Sequence, residues 1–231
     1  MSSMHIRSLG GAPASIWELN ASQVRDLTAS LSPTPGAGSI SVFAATLGLA
    51  LVHKGASLSL KRAGDDINRY ENLTRLCEHV ISALASMSSL ADEDSQAFQE
   101  YVVARSLPRS SDTENVLRKA AMEAAILHAT RVPLASADSI CKALEYAKAA
   151  VQLSDRHLLS DVYGGAIIMQ AGAKALFLTA KANVLLLADD QIRVAIEGEM
   201  KELEGISYER SEAVSRAYEG RMSDSIDLTG R

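Results

Sequence analysis

Three carboxylates in the stretch "LADEDSQAF", Asp92, Glu93 and Asp94, form the densest group of possible acid/base residues in the chain. A carboxyl group buried among apolar atoms keeps its proton to higher pH and can both take and return one during a reaction. The ordinary alternative is that the run marks a helix start, where negative charge offsets the helix dipole by about 0.3–1 kcal/mol. Spacing leaves both readings open. It does put Asp94 and Phe98, four apart, on one helical face, and it separates Asp92 from Asp94.

A second candidate is "SPTPGAGS", from Ser32 to Ser39, which holds two of the five prolines. As a connector it is already explained: each proline favours extended backbone in the residue before it, Gly36 and Gly38 can take left-handed angles, and Ser39 can cap the next helix. As a binding element, a rigid loop ending at a helix N-terminus offers free backbone N–H groups and a positive dipole end to a carboxylate or phosphate. Lys174 and Lys181, seven apart on an otherwise apolar helix, either reach solvent or meet an anion. Lys61 and Arg62, beside the turn at Gly64, read as a solvated helix end or as a grip on an acidic ligand. The histidines at 5, 53, 79, 128 and 157 form no ligand pair, and Cys77 and Cys141 have no metal-like spacing. No metal site is therefore expected, and both thiols read as core residues.

The elements that must position these residues are helical. Apolar spacing with a capping box at "NASQ" predicts a helix over 20–31, with Val24, Leu27 and Leu31 on one face. A helix after Ser39 is apolar all round its first turns and should be central to the core. Further helices are predicted over 67–90, over 91–107 ending at Pro108, from a cap at Asp112 or Thr113, from Pro133 to 153, over 160–188, and over 189–222. No segment alternates with period two, so the expected fold is all-α, an up-and-down multi-helix bundle of seven or eight helices. The 231 residues read as one domain, with a core of about 16–222 between a flexible N-terminus and a loose tail. A net charge of −5 argues against nucleic acid as a partner. The N-terminus lacks the apolar core of a secretory signal, so a cytoplasmic location is expected. The apolar stretch 40–52 is short for a membrane span, and 162–188 carries two lysines that each cost about 2.5–3.5 kcal/mol at a bilayer centre. An all-apolar helix also suggests a second copy to bury it, that is, a homodimer.

Several stretches together point to one family. "SPTPGAGSISVFAATLGLALV" resembles the SPTPGGGS signature and apolar helix of the formiminotetrahydrofolate cyclodeaminase and methenyltetrahydrofolate cyclohydrolase family. "ASLSLKR", "LADEDSQAFQEYVVARSLPR", "ENVLRKAAMEAAILHATRVPLASAD" and "SDVYGGAIIMQAGAKALFLTAKANVLLL" resemble its later motifs, in order, over about 16–192. The resemblance implies an all-α homodimer with active sites at the subunit interface, and Asp94 as the catalytic acid/base. It implies that Ser32, Pro33, Thr34, Pro35, Gly36, Gly38 and Ser39 wall a folate pocket, with Asp161 and Asn183 among the contacts. Lys61 and Arg62, or Lys181, are the expected partners of the acidic glutamate tail, on their charge and not on a match to a family motif. No cofactor is implied beyond the tetrahydrofolate substrate itself. The chain departs from the family pattern at Ala37, Ser57, Ser154-Asp155 and Thr179. These changes keep a non-folate ring closure in view, and a non-catalytic helical dimer is the remaining alternative.

Overall fold

The computed structural model of the chain describes residues 15–223. The expectations of a flexible N-terminus and a loose tail fall largely outside that range. Six α-helices account for nearly all of it: α1 (Ala21–Thr28), α2 (Ala37–Leu60), α3 (Ile67–Ser106), α4 (Asp112–Leu153), α5 (Leu159–Val184) and α6 (Asp190–Ser223). Single 3-10 turns lie at Ile16–Glu18 and Arg156–Leu158, and no strand occurs among the described residues.

The all-helical expectation stands, with six helices in place of seven or eight. Two predicted breaks are absent. The segments 67–90 and 91–107 are one 40-residue helix, so Asp92, Glu93 and Asp94 lie in the interior of α3 and no helix starts there. Helix α4 runs unbroken through Pro133. A proline inside a helix removes one backbone hydrogen bond. Here Val132, Pro133 and Leu134 are all buried, and packing on the neighbouring helices holds the axis through the defect.

Helix ends follow local chemistry. Asn20 and Gln23 exchange the two hydrogen bonds of the expected capping box. Helix α1 then stops at Thr28, leaving Leu31 fully exposed while Val24 is buried. The cap of α4 is Ser111, paired with Glu114, in place of Asp112 or Thr113. The cap of α2 is Gly36, in extended backbone, and Ser39 sits inside the first turn, where its hydroxyl is free for another partner. Gly64 has the only left-handed φ among the described residues, so neither Gly36 nor Gly38 needs one.

Helices α2 and α5 cross antiparallel at the centre of the core with their backbones touching. A Cβ at Gly48 would lie 2.6 Å from the Gly165 carbonyl oxygen, and one at Gly165 would lie 2.3 Å from that of Gly48. Helices α3, α4 and α6 pack around this pair. By length and composition alone, α2 and the stretch Arg156–Val184 could each cross a membrane, and α2 is longer than its apolar 40–52 segment suggests. Only 50% and 44% of their apolar windows are buried inside the bundle. Leu47 on α2 and Ile167 and Leu178 on α5 remain exposed.

Candidate active site

Asp94 projects from the middle of α3 onto the first turn of α2. Its carboxylate occupies the space that a side chain at residue 38 would need: a Cβ on Gly38 would lie 2.1 Å from Oδ1 and 2.5 Å from Oδ2. The Ser39 hydroxyl donates to Oδ2 at 2.9 Å and lies 2.8 Å from the Ser95 hydroxyl. Burial pushes the Asp94 carboxyl above its ordinary value, against the smaller lowering effects of the Ser39 hydroxyl and backbone. A carboxyl whose pKa is raised by burial at a helix start, where the dipole alone would lower it, is suited to acid/base work.

The carboxyl faces a cavity of about 270 Å³. The Pro-Gly loop supplies one wall through Pro33, Thr34, Gly36 and Gly38; Phe98 and Tyr101 continue the Asp94 face of α3; Thr179 and Asn183 close it from α5. Asn183 Nδ2 donates to the Ala129 carbonyl at 2.7 Å, which fixes the amide orientation because a carbonyl can only accept. Thr179 donates its hydroxyl hydrogen back to the Ala175 carbonyl at 3.2 Å.

The three neighbouring carboxylates have separate surroundings. Asp92 accepts from the Ser15 hydroxyl at 2.6 Å and from Ile16 N–H at 3.0 Å, pinning the first 3-10 turn against α3. Trp17 reinforces that anchor, donating to the Ser88 carbonyl at 2.9 Å and packing on Phe43. Glu93 and Glu100 both face His128 on α4, at 3.5 and 2.8 Å. The hydrogen bond to Glu100 raises the His128 pKa, Glu93 adds to it, and the same contact lowers that of Glu100. Asp94 alone faces the cavity.

Not all sequence-selected residues meet there. Ser32 donates to the Thr34 carbonyl at 2.8 Å, and Pro35 lines a second cavity behind the loop, beside Asp92. The Thr34–Pro35 peptide is cis. Asp161 pairs with Lys54 at 2.7 Å. Lys61 caps the far end of α2, about 37 Å from Gly36 along the helix. Lys181 lies with Lys174 and Tyr208 on a separate cavity between α5 and α6. Among the described residues, no lysine or arginine lines the Asp94 cavity.

Of the departures from the family pattern, Ala37 and Thr179 line the cavity. Ala37 keeps a negative φ, as an alanine there requires. Ser57, Ser154 and Asp155 belong to the opposite end of α2, where Asp155 binds Arg69 at 2.6 Å. Ser57 lies near His53 and Cys77 there. Burial raises the Cys141 pKa, in keeping with a packing role. The sequence reading missed Tyr101, Ser95 and Ala129. Tyr101 was legible, because it lies seven residues after Asp94 on the same face. Ala129 comes from another helix and carries no sequence signal.

Fold and site together define an all-helical protein with a largely buried carboxyl set against the first turn of α2. The chain belongs to the formiminotransferase-cyclodeaminase family, whose profile matches residues 20–202. It is 27% identical over 194 residues to a methenyltetrahydrofolate cyclohydrolase of Methylorubrum extorquens, covering 84% of this chain and 91% of that protein. It is 25% identical over 178 residues to the formimidoyltransferase-cyclodeaminase of Sus scrofa, spanning 75% of this chain but only 32% of that longer protein. The solved structure of a formiminotetrahydrofolate cyclodeaminase from Thermotoga maritima shares the fold, with a TM-score of 0.77 at 21% identity over 89% of this chain and 98% of the other.

Proposed function

We propose that the protein is a folate one-carbon enzyme in which Asp94 shuttles a proton at a ring-forming or ring-opening carbon. The observation that carries this reading is the Asp94 carboxyl, held over Gly38 in a cavity, with burial raising its pKa. In the cyclodeaminase direction, N10 of 5-formiminotetrahydrofolate attacks the formimino carbon held on N5. With the formimino nitrogen already protonated, Asp94 takes the N10 proton and delivers it to that nitrogen, so that the carbon–nitrogen bond breaks, ammonia leaves and the 5,10-methenyltetrahydrofolate cation remains. In the cyclohydrolase direction, water adds to the methenyl carbon as Asp94 takes its proton. Return of that proton to N5 breaks the N5–carbon bond, the hydroxyl loses its proton to solvent as the carbonyl forms, and 10-formyltetrahydrofolate results. Neither sequence, as written, calls on a metal or redox group.

Phe98 and Tyr101 suit a flat heterocycle, and Asn183 offers it hydrogen-bonding capacity. Exposed Leu47, Ile167 and Leu178 on the outer faces of α2 and α5 support the pairing of two copies. Sedimentation as a monomer at micromolar concentration would oppose that pairing.

A second reading, a non-folate cyclisation by the same carboxyl, is favoured by the uncharged cavity wall and by Ala37 and Thr179. Incubation with each folate while the methenyl absorbance is followed separates the two. A rise from the formimino substrate, or an accelerated fall from the methenyl one, supports the folate reading. Flat traces from folded protein would remove it in favour of the second.

A further inference from the structure

The hydrogen bonds around Asp94 decide which of its two oxygens can do the chemistry. Ionised Asp94 can only accept, so the 2.9 Å contact to Oδ2 uses the single hydrogen of the Ser39 hydroxyl. The 2.8 Å contact between Ser39 and Ser95 must then be donated by Ser95, because Ser39 has no second hydrogen to give. Distance alone leaves that direction open, and the donor count closes it for the ionised carboxylate, the form that accepts a proton. Ser39 is fully buried and Ser95 partly so, and Ser95 also lines the second cavity behind the loop. No second side chain donates to the carboxylate among the described residues; the other donor to it is the backbone N–H of Ser39, which no side-chain substitution removes.

We propose that Ser95 and Ser39 form a one-way hydroxyl relay that holds Oδ2 as a fixed acceptor, leaving Oδ1 as the oxygen that takes and returns the proton. Ser39 is thus a positioning residue for Asp94, and Ser95 a positioning residue for Ser39. The glycine at 38 completes the arrangement by leaving room for the carboxylate against the backbone of α2. The assignment of a proton-transfer role to Oδ1 rests on the acid/base reading of Asp94; the relay itself does not.

Few other groups can imitate the effect. Tyr101 is the one other titratable side chain lining the cavity, and the parts of α2, α4 and α5 that line it present no charge. Glu93, next in sequence to Asp94, is turned towards His128.

The test is a carbon-13 NMR titration of aspartate-labelled, substrate-free protein, with the Asp94 carboxyl assigned through Asp94→Asn. Loss of the Ser39 hydroxyl removes a donor to the charged form, so Ser39→Ala moves the Asp94 midpoint up by about one pH unit. Ser95→Ala removes only the bond that polarises Ser39, so its shift is in the same direction and smaller. Tyr101→Phe leaves the midpoint in place. An unchanged midpoint in Ser39→Ala or in Ser95→Ala would overturn the relay. If Ser39→Ala does not fold, Ser95→Ala decides alone, since its side chain is only partly buried. Because no substrate is present, the titration stands whichever ring system the enzyme uses. With an active substrate, the acid limb of the rate profile should move by the same amount as the NMR midpoint.

Discussion

Helix α2 meets glycine-requiring neighbours at two places, and they teach different things. At Gly38 the obstacle to a side chain is the Asp94 carboxylate, the end of a rotatable side chain. At Gly48, one heptad and a turn further on, the obstacle is the backbone carbonyl of Gly165 on α5. A carboxylate can swing aside, so an alanine at 38 costs position and spares the fold. Two helices in backbone contact can only separate, so an alanine at the crossing costs stability. One helix thus carries a notch filled by a side chain at its start and a notch filled by backbone at its middle.

The most damaging way to break this contrast is Gly38→Ala. It should cut turnover by at least about 100-fold, the scale of losing a positioned acid/base group, with little change in thermal unfolding. A large fall in melting temperature would show that both notches are structural. Gly165→Ala should do the reverse, destabilising by about 1–3 kcal/mol in denaturant unfolding while the folded fraction keeps its rate.

A smaller effect sharpens the carboxylate side. Asp94 is protonated more readily when folded than when unfolded, so stability is lost as pH rises from its ordinary value of 3.8 through the raised folded one. Asp94→Asn removes that loss. It should melt higher than the wild type at neutral pH, and the gap should close in acid. A variant less stable than wild type at neutral pH would contradict the desolvation account.

The smallest effect belongs to His128, which bridges α3 and α4 one face away from the cavity. Its raised pKa means that its contribution is complete below the ordinary histidine value of 6.5 and is lost as pH rises through the folded value. The lowered Glu100 value adds stability above the ordinary 4.5, lost as pH falls through the folded value. The pair is therefore strongest between those values. With all three side chains more than a third exposed, His128→Gln should cost well under about 1 kcal/mol there, and less at alkaline pH. Urea unfolding at two pH values checks it.

These comparisons also show what the sequence could carry. Helical spacing marks the right stretches as helix although it divides α3 and α4 in two, and the four-residue step from Asp94 to Phe98 puts both on the cavity face. The same arithmetic, pressed harder, separates Lys181 from Asn183: two positions apart on a helix they point about 200° away from each other, whereas Thr179 and Asn183 share a side. An unbroken α2 likewise puts Lys61 at the opposite end from the Pro-Gly loop. What no local pattern held was the partner of each carboxylate. Asp92 meets Ser15, 77 positions away, and Asp94 meets Ser39, 55 away. Pro133 was misread for the same reason, since whether a proline ends a helix depends on the packing around it.

The central claim is that one carboxyl, placed over Gly38, does the proton transfer. The most direct measurement is the rate of methenyl absorbance change with 5-formiminotetrahydrofolate and with 5,10-methenyltetrahydrofolate, for wild type and for Asp94→Asn of equal helicity. The account predicts turnover above the spontaneous rate with at least one of them, falling by about 10²- to 10⁴-fold in the variant. Turnover that survives intact in Asp94→Asn would contradict it.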